Sequence, residues 1–147
     1  MQECTERTIM LNKVMFVNRN AAENTPGFKD WALISITELG STKASIIDGW
    51  YDVHRSEFDD EIPHYGISKS IVLMTEDHAT EIVDFVYSIA PHVEGVVVHC
   101  KGGVSRSAAV AKWIAITFKL PFNHDYKVYN KYVYHQLNEA NERRKRR

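Results

Sequence analysis

Val96-Val97-Val98-His99-Cys100-Lys101-Gly102-Gly103-Val104-Ser105-Arg106-Ser107-Ala108-Ala109-Val110 runs from an apolar segment into a short polar turn and out into a second apolar segment. Val96 to His99, entered through Gly95, has the pattern of a strand buried on both faces of a parallel sheet. From Arg106 to Lys119 the chain is apolar almost all round (Ala109, Val110, Trp113, Ile114, Ile116), as a helix packed inside a molecule requires, and Leu120-Pro121 ends it. Strand, tight turn and helix in this order make a unit of an open α/β sheet. Ligands of such sheets bind beyond the carboxyl ends of the strands, where Cys100 stands.

Working outward, Thr75 is the expected N-cap of a helix reaching about Ala90. Glu76 and Asp77 sit in its first turn, and Ala79, Ile82, Val83, Val86 and Ile89 share one face before Pro91 stops it. Lys13–Val17 and Ala32–Ile36 read as strands, and Thr37 to Ser45 as a polar loop. The stretch from Ile46 to Ser70 is irregular and partly a surface loop, with Asp59 and Asp60 adjacent and Pro63 and Gly66 as breakers. A last helix is expected from about Asp125 to Glu142, with Asn123 or His124 near its start and Val128, Tyr129, Tyr132, Val133, Gln136, Leu137 and Ala140 on one stripe. Strands alternating with helices predict a single α/β domain with a mainly parallel central sheet flanked by helices. The domain is expected over 1–142, with 143–147 as a frayed basic tail.

The length of 147 residues suits one domain. No apolar run approaches the roughly 18 residues of a membrane span, and Glu3, Glu6 and Arg7 interrupt the first ten residues, so a soluble cytoplasmic protein is expected. The only cysteines are Cys4 and Cys100, which argues for reduced thiols over a disulfide framework. Arg143 to Arg147 carry +5 of a net charge of −1, leaving −6 on the rest, and a body of that sign is no nucleic-acid binder. The seven histidines lack metal-ligand spacing, so no metal and no cofactor is expected. Tyr126, Tyr129, Tyr132 and Tyr134 read as packing residues. The sequence carries no signal for an oligomeric state.

The turn after Cys100 has the makings of an anion cradle. Gly102 and Gly103 permit positive φ and close approach, so that the backbone N–H groups of Lys101, Gly102, Gly103, Val104, Ser105 and Arg106 can converge on a phosphate. The following helix adds its N-terminal partial charge, and the Arg106 guanidinium can hold two phosphate oxygens. That same field stabilises a thiolate, so one loop can both bind an anion and attack it.

His99, Cys100, Gly103, Arg106 and Ser107 fill every place of the His-Cys-five residues-Arg-Ser/Thr signature of the protein tyrosine phosphatase superfamily, and the chain resembles its small dual-specificity branch from about Lys13 to Ala140. The resemblance implies a cysteine-phosphatase-like fold and a metal-independent phosphatase in which Cys100 attacks phosphorus and Arg106 with the loop amides holds the equatorial oxygens. It implies that Ser107 supports the departing thiolate and that His99 orients the loop. It also implies a general acid on an upstream loop. No Trp-Pro-Asp is present, but Phe58-Asp59-Asp60 resembles the Phe-Asp-Asp form of that loop, which points to Asp60, with Asp59 in reserve and His64 as a remoter donor. The implied partner is a phosphorylated protein, on phosphotyrosine first and phosphoserine or phosphothreonine second. Lys101 and the basic end keep a phosphoinositide or nucleotide substrate open, although Val104 stands where phosphoinositide enzymes usually carry a second basic residue. A phosphate-binding module with little turnover is the non-enzymatic alternative.

Overall fold

The computed structural model describes residues 10–147; Cys4 lies outside them. Four strands, β1 (Lys13–Asn18), β2 (Trp31–Thr37), β3 (Asp52–Glu57) and β4 (Gly95–Cys100), form one all-parallel sheet in the order β1-β4-β2-β3. Four helices accompany it: α1 (Arg19–Glu23), α2 (Glu76–Ile89), α3 (Arg106–Phe118) and α4 (Lys131–Lys145). The protein is therefore an α/β fold with a central parallel sheet, as the strand-helix alternation requires. Among the described residues no helix is long and apolar enough to cross a membrane.

β4 lies between β1 and β2, and all six of its residues are buried, which accounts for its unbroken apolar character. Alternation sends Val96, Val98 and Cys100 to one face, where Ala32, Ile34 and Ile36 of β2 join them against α2, α3 and α4. Trp113, Ile82, Ile114 and Leu137 fill this main core and are fully buried. The opposite face holds a smaller cluster of Leu33, Val97 and Trp50, with Trp31, Val17, Ile46 and Val53 packed against it. Cys100 thus projects on the side of α3 that carries the deeper core.

Thr75 caps α2 as expected, its Oγ1 accepting from the His78 N–H at 3.1 Å, while the His78 ring accepts from the Thr75 N–H at 2.9 Å in a reciprocal box. Four features differ from the sequence reading. First, β3 lies inside the segment expected to be irregular. Asp-Val-His-Arg-Ser-Glu lacks an apolar pattern because the strand is at the sheet edge and, among the described residues, pairs with β2 alone. Second, the segment after β1, for which the sequence reading placed no element, contains the single-turn α1, capped by Asn18.

Third, α4 begins at Lys131 and not near Asp125. Asn130 is the N-cap, its Oδ1 accepting from the Val133 N–H at 3.0 Å, so Val128 and Tyr129 precede the helix and Val128 is exposed. Fourth, the basic end is not a free tail. Arg143, Arg144 and Lys145 form the last turn of α4, where cations complement the helix dipole. Arg144 and Arg147 pair with Asp84 at 3.5 and 3.0 Å, and Arg144 lies over the Tyr87 ring at 4.1 Å.

Candidate active site

Three strand ends converge on the site. Cys100 is the last residue of β4, Glu38 follows β2, and Phe58-Asp59-Asp60 follows β3. Between β4 and α3 the loop from Lys101 to Ser105 turns tightly under one strict constraint. Gly103 has φ +69°, and a Cβ there would lie 2.3 Å from the Asn18 nitrogen and 2.5 Å from the Val17 carbonyl carbon. Both neighbours are backbone of β1, so glycine is required for conformation and for space. The N–H groups of Gly102 to Arg106 find no oxygen acceptor among the described residues, and Ser105 leaves the N-terminus of α3 without a side-chain cap.

Cys100 lies at the floor of this loop, only 2% exposed. The Ser107 Oγ is 3.1 Å from its sulfur, and the Ser107 N–H donates to the sulfur at 3.4 Å. In the thiol form the S–H donates to Oγ; in the thiolate form the hydroxyl turns and donates to sulfur. Burial of the sulfur pushes its pKa up. The Ser107 hydroxyl, the Ser107 and Gly103 N–H groups and the Arg106 charge outweigh that and hold it below the ordinary thiol value.

The thiolate is the form that reacts with iodoacetamide. Alkylation of Cys100, followed by peptide mapping so that Cys4 does not intrude, is therefore expected to keep its midpoint below that of a free cysteine. Ser107→Ala removes one lowering contribution and should move the midpoint to higher pH. An unmoved midpoint would mean that the hydroxyl does not stabilise the thiolate.

Arg106, the first residue of α3, is 3% exposed. Its Nη1 donates to the Phe58 carbonyl oxygen at 2.7 Å and its Nη2 to the Glu38 carboxylate. The third guanidinium donor position, Nε, is buried without a partner among the described residues. A buried cationic N–H with nothing to receive it is a site waiting for an acceptor. Glu38 opposes burial, which raises its pKa, with the Arg106 hydrogen bond and charge and the charge of Lys101, and ends below the usual carboxylate range. It stays ionised and pairs with the Arg106 guanidinium. The sequence reading missed Glu38 by placing it in a featureless polar loop. The available signal was an acid directly after a buried parallel strand.

The two aspartates part company. The Asp59 Oδ2 accepts from the Val72 N–H at 2.8 Å and its own N–H donates to the Val72 carbonyl at 2.7 Å, so Asp59 fastens the loop to the chain before α2. Asp60 is exposed and turns towards the Cys100 loop, its Oδ1 accepting from the Ser105 hydroxyl at 2.8 Å. His64 sits at the surface facing Glu61 at 3.6 Å.

His99 points to the other face of the sheet, its Nε2 2.7 Å from the Ser35 hydroxyl. Burial lowers its pKa and outweighs the hydrogen bond to the Cys100 backbone, which raises it, leaving the ring below the ordinary imidazole value. Lys101, Gly102 and Val104 are exposed on the loop rim. Tyr126, expected on a helix, instead lies in the segment before α4 and donates its hydroxyl to the Val104 carbonyl. Its pKa is raised by burial and by the nearby Cys100 charge. Among the described residues no cluster of three or more His, Cys, Asp or Glu side chains is arranged to hold a metal. No family model matches the chain, and no curated protein sequence matches it.

Proposed function

We propose that the protein is a phosphatase that hydrolyses phosphomonoesters through a cysteinyl-phosphate, acting on phosphoproteins and first of all on phosphotyrosine. The observation that carries this reading is a thiol with depressed pKa under a loop whose Gly102 to Arg106 N–H groups find no oxygen acceptor, and whose Arg106 Nε finds no partner, among the described residues. A phosphate dianion satisfies these donors at once. The match of His99, Cys100, Gly103, Arg106 and Ser107 to the phosphatase signature supports the same assignment.

In the first step the Cys100 sulfur forms a bond to phosphorus while the bond to the leaving oxygen breaks, and Asp60 gives its proton to that oxygen. In the second step a water oxygen attacks phosphorus and the S–P bond breaks. The Asp60 carboxylate takes the water's proton, and the Ser107 hydroxyl receives the departing thiolate. Arg106 and the loop amides hold the equatorial oxygens through both steps.

A phosphoprotein suits the surroundings better than a phosphoinositide or nucleotide. Lys101 is the only cation on the loop besides Arg106, whereas Glu38, Asp60 and Glu61 stand nearby. The rim also carries exposed Val104 and Ile62, which favour an aromatic phosphoester over a polyanion.

The test is a substrate panel in the presence of chelator: aryl phosphates, phosphotyrosyl and phosphoseryl peptides, phosphoinositides and mononucleotides, with wild type and Asp60→Ala. Aryl phosphate and phosphotyrosyl peptide should turn over, and Asp60→Ala should lose about 100-fold on phenyl phosphate, a poor leaving group. Faster turnover of phosphoinositide would reassign the substrate. Binding of phosphate without turnover of anything would leave only a phosphate-binding module.

A further inference from the structure

Asn130 has no part in the chemistry just described, yet it is 7% exposed and tied to three separate stretches of chain. Its Oδ1 caps α4, and its N–H donates to the Ser105 carbonyl at 3.1 Å, joining the helix start to the Cys100 loop. Its Nδ2 donates to the Asp60 Oδ1 at 2.9 Å and to the Glu61 carbonyl at 3.1 Å. The Ser105 hydroxyl reaches that same Asp60 oxygen at 2.8 Å. Asp60, Ser105 and Asn130 together line a groove of about 340 Å³ with Ile62, Tyr129 and Lys131.

We infer that Asn130 and Ser105 are positioning residues for the acid: together they fix the Asp60 carboxyl so that Oδ1 serves only as acceptor and Oδ2 carries the proton delivered to the leaving group. The reasoning is stereochemical. A protonated carboxyl keeps one oxygen as the stronger acceptor, and two donors directed at Oδ1 select it for that role. The hydroxyl hydrogen is thereby confined to Oδ2, the oxygen with no partner among the described residues. Ser105 belongs to the Cys100 loop and Asn130 is bonded to it. The acid's side chain is therefore tied directly to the phosphate cradle, in addition to being carried by the loop around residue 60. Positioning of this kind is worth large factors in rate, because a displaced donor misses the leaving oxygen.

This inference rests on the reading of Asp60 as the acid, and the test separates the two. The readout is the ratio of kcat on phenyl phosphate to kcat on p-nitrophenyl phosphate, because only the poor leaving group needs the proton. Asn130→Ala removes both the cap and the donor to Asp60. Asn130→Ser keeps an oxygen able to cap α4 but is too short to donate to Asp60. The ratio should fall about tenfold in both variants, and adding Ser105→Ala to Asn130→Ser should lower it further.

Recovery of the wild-type ratio in Asn130→Ser would reduce Asn130 to a helix cap and overturn the inference, with the acid reading intact provided Asp60→Ala still lowers the ratio. An unchanged ratio in Asp60→Ala would overturn the acid reading itself. Thermal unfolding of each variant identifies any loss that is merely of folding, and a variant folded at assay temperature with an unchanged ratio counts against the inference.

Discussion

Cys100→Ser should abolish turnover of aryl phosphates and phosphopeptides, with a loss of at least about 10⁴-fold in kcat. The substitution exchanges sulfur for a smaller oxygen in a fully packed position, so the fold around β4 and α3 has no reason to change. What changes is the nucleophile. The Ser107 hydroxyl, the Ser107 and Gly103 N–H groups and Arg106 bring a thiol pKa down against the cost of burial. The same partners start from a hydroxyl far more basic than a thiol and cannot deliver an alkoxide near neutral pH. The loop N–H groups and the Arg106 Nε are untouched, so the variant should still bind orthovanadate or a phosphotyrosyl peptide. Loss of turnover together with retained binding is the expected pair of results. Substantial turnover by Cys100→Ser would mean that another group attacks phosphorus.

Arg106→Lys should cost about 10³-fold in kcat/KM, with no change in net charge. Arg106 does three things at once. It donates to the Phe58 carbonyl, it pairs with Glu38, and its Nε is left without an acceptor among the described residues. A lysine ammonium is a point charge on a flexible stem and cannot fill these three directions in one plane. Glu38 would draw it off and leave the equatorial phosphate oxygens without their fork. Inhibition by orthovanadate should weaken in parallel, because that anion uses the same donors. A loss smaller than tenfold would show that charge alone suffices and that the planar fork is dispensable.

The parts of this site written locally in the chain were legible before the fold was known. Val96 to Val98 and Ala108 to Ile116 announce a buried strand and a buried helix, and Cys100, Gly103, Arg106 and Ser107 stand within one turn between them. Their contacts span eight residues, so spacing alone places them together. Glu38 and Asn130 were not legible, because each acts through partners 68 and 70 positions away that only the parallel sheet and α4 bring near.

Edge strand β3 hid for a different reason. With one neighbouring strand and polar side chains such as Asp52, His54 and Arg55, it has no periodic apolar signal, and its pairing with β2 depends on the backbone. Asp59 and Asp60 are identical in chemistry and adjacent in sequence. Only the fold separates them: beyond the end of β3 one carboxylate ties to Val72 and the other faces Ser105. Helix periodicity likewise ran too far back from α4, because Val128 and Tyr129 fit the stripe by spacing while Asn130 starts the helix.

The most direct measurement is rapid-quench trapping of the enzyme during turnover of p-nitrophenyl phosphate in the presence of chelator, with acid quench, proteolysis and mass spectrometry of the peptide containing Cys100. A phosphoryl group on Cys100, formed within the burst of nitrophenol release and absent from Cys100→Ser, is the expected result. Turnover at the wild-type rate with no phosphoryl group on Cys100 at any time would contradict a cysteinyl-phosphate mechanism.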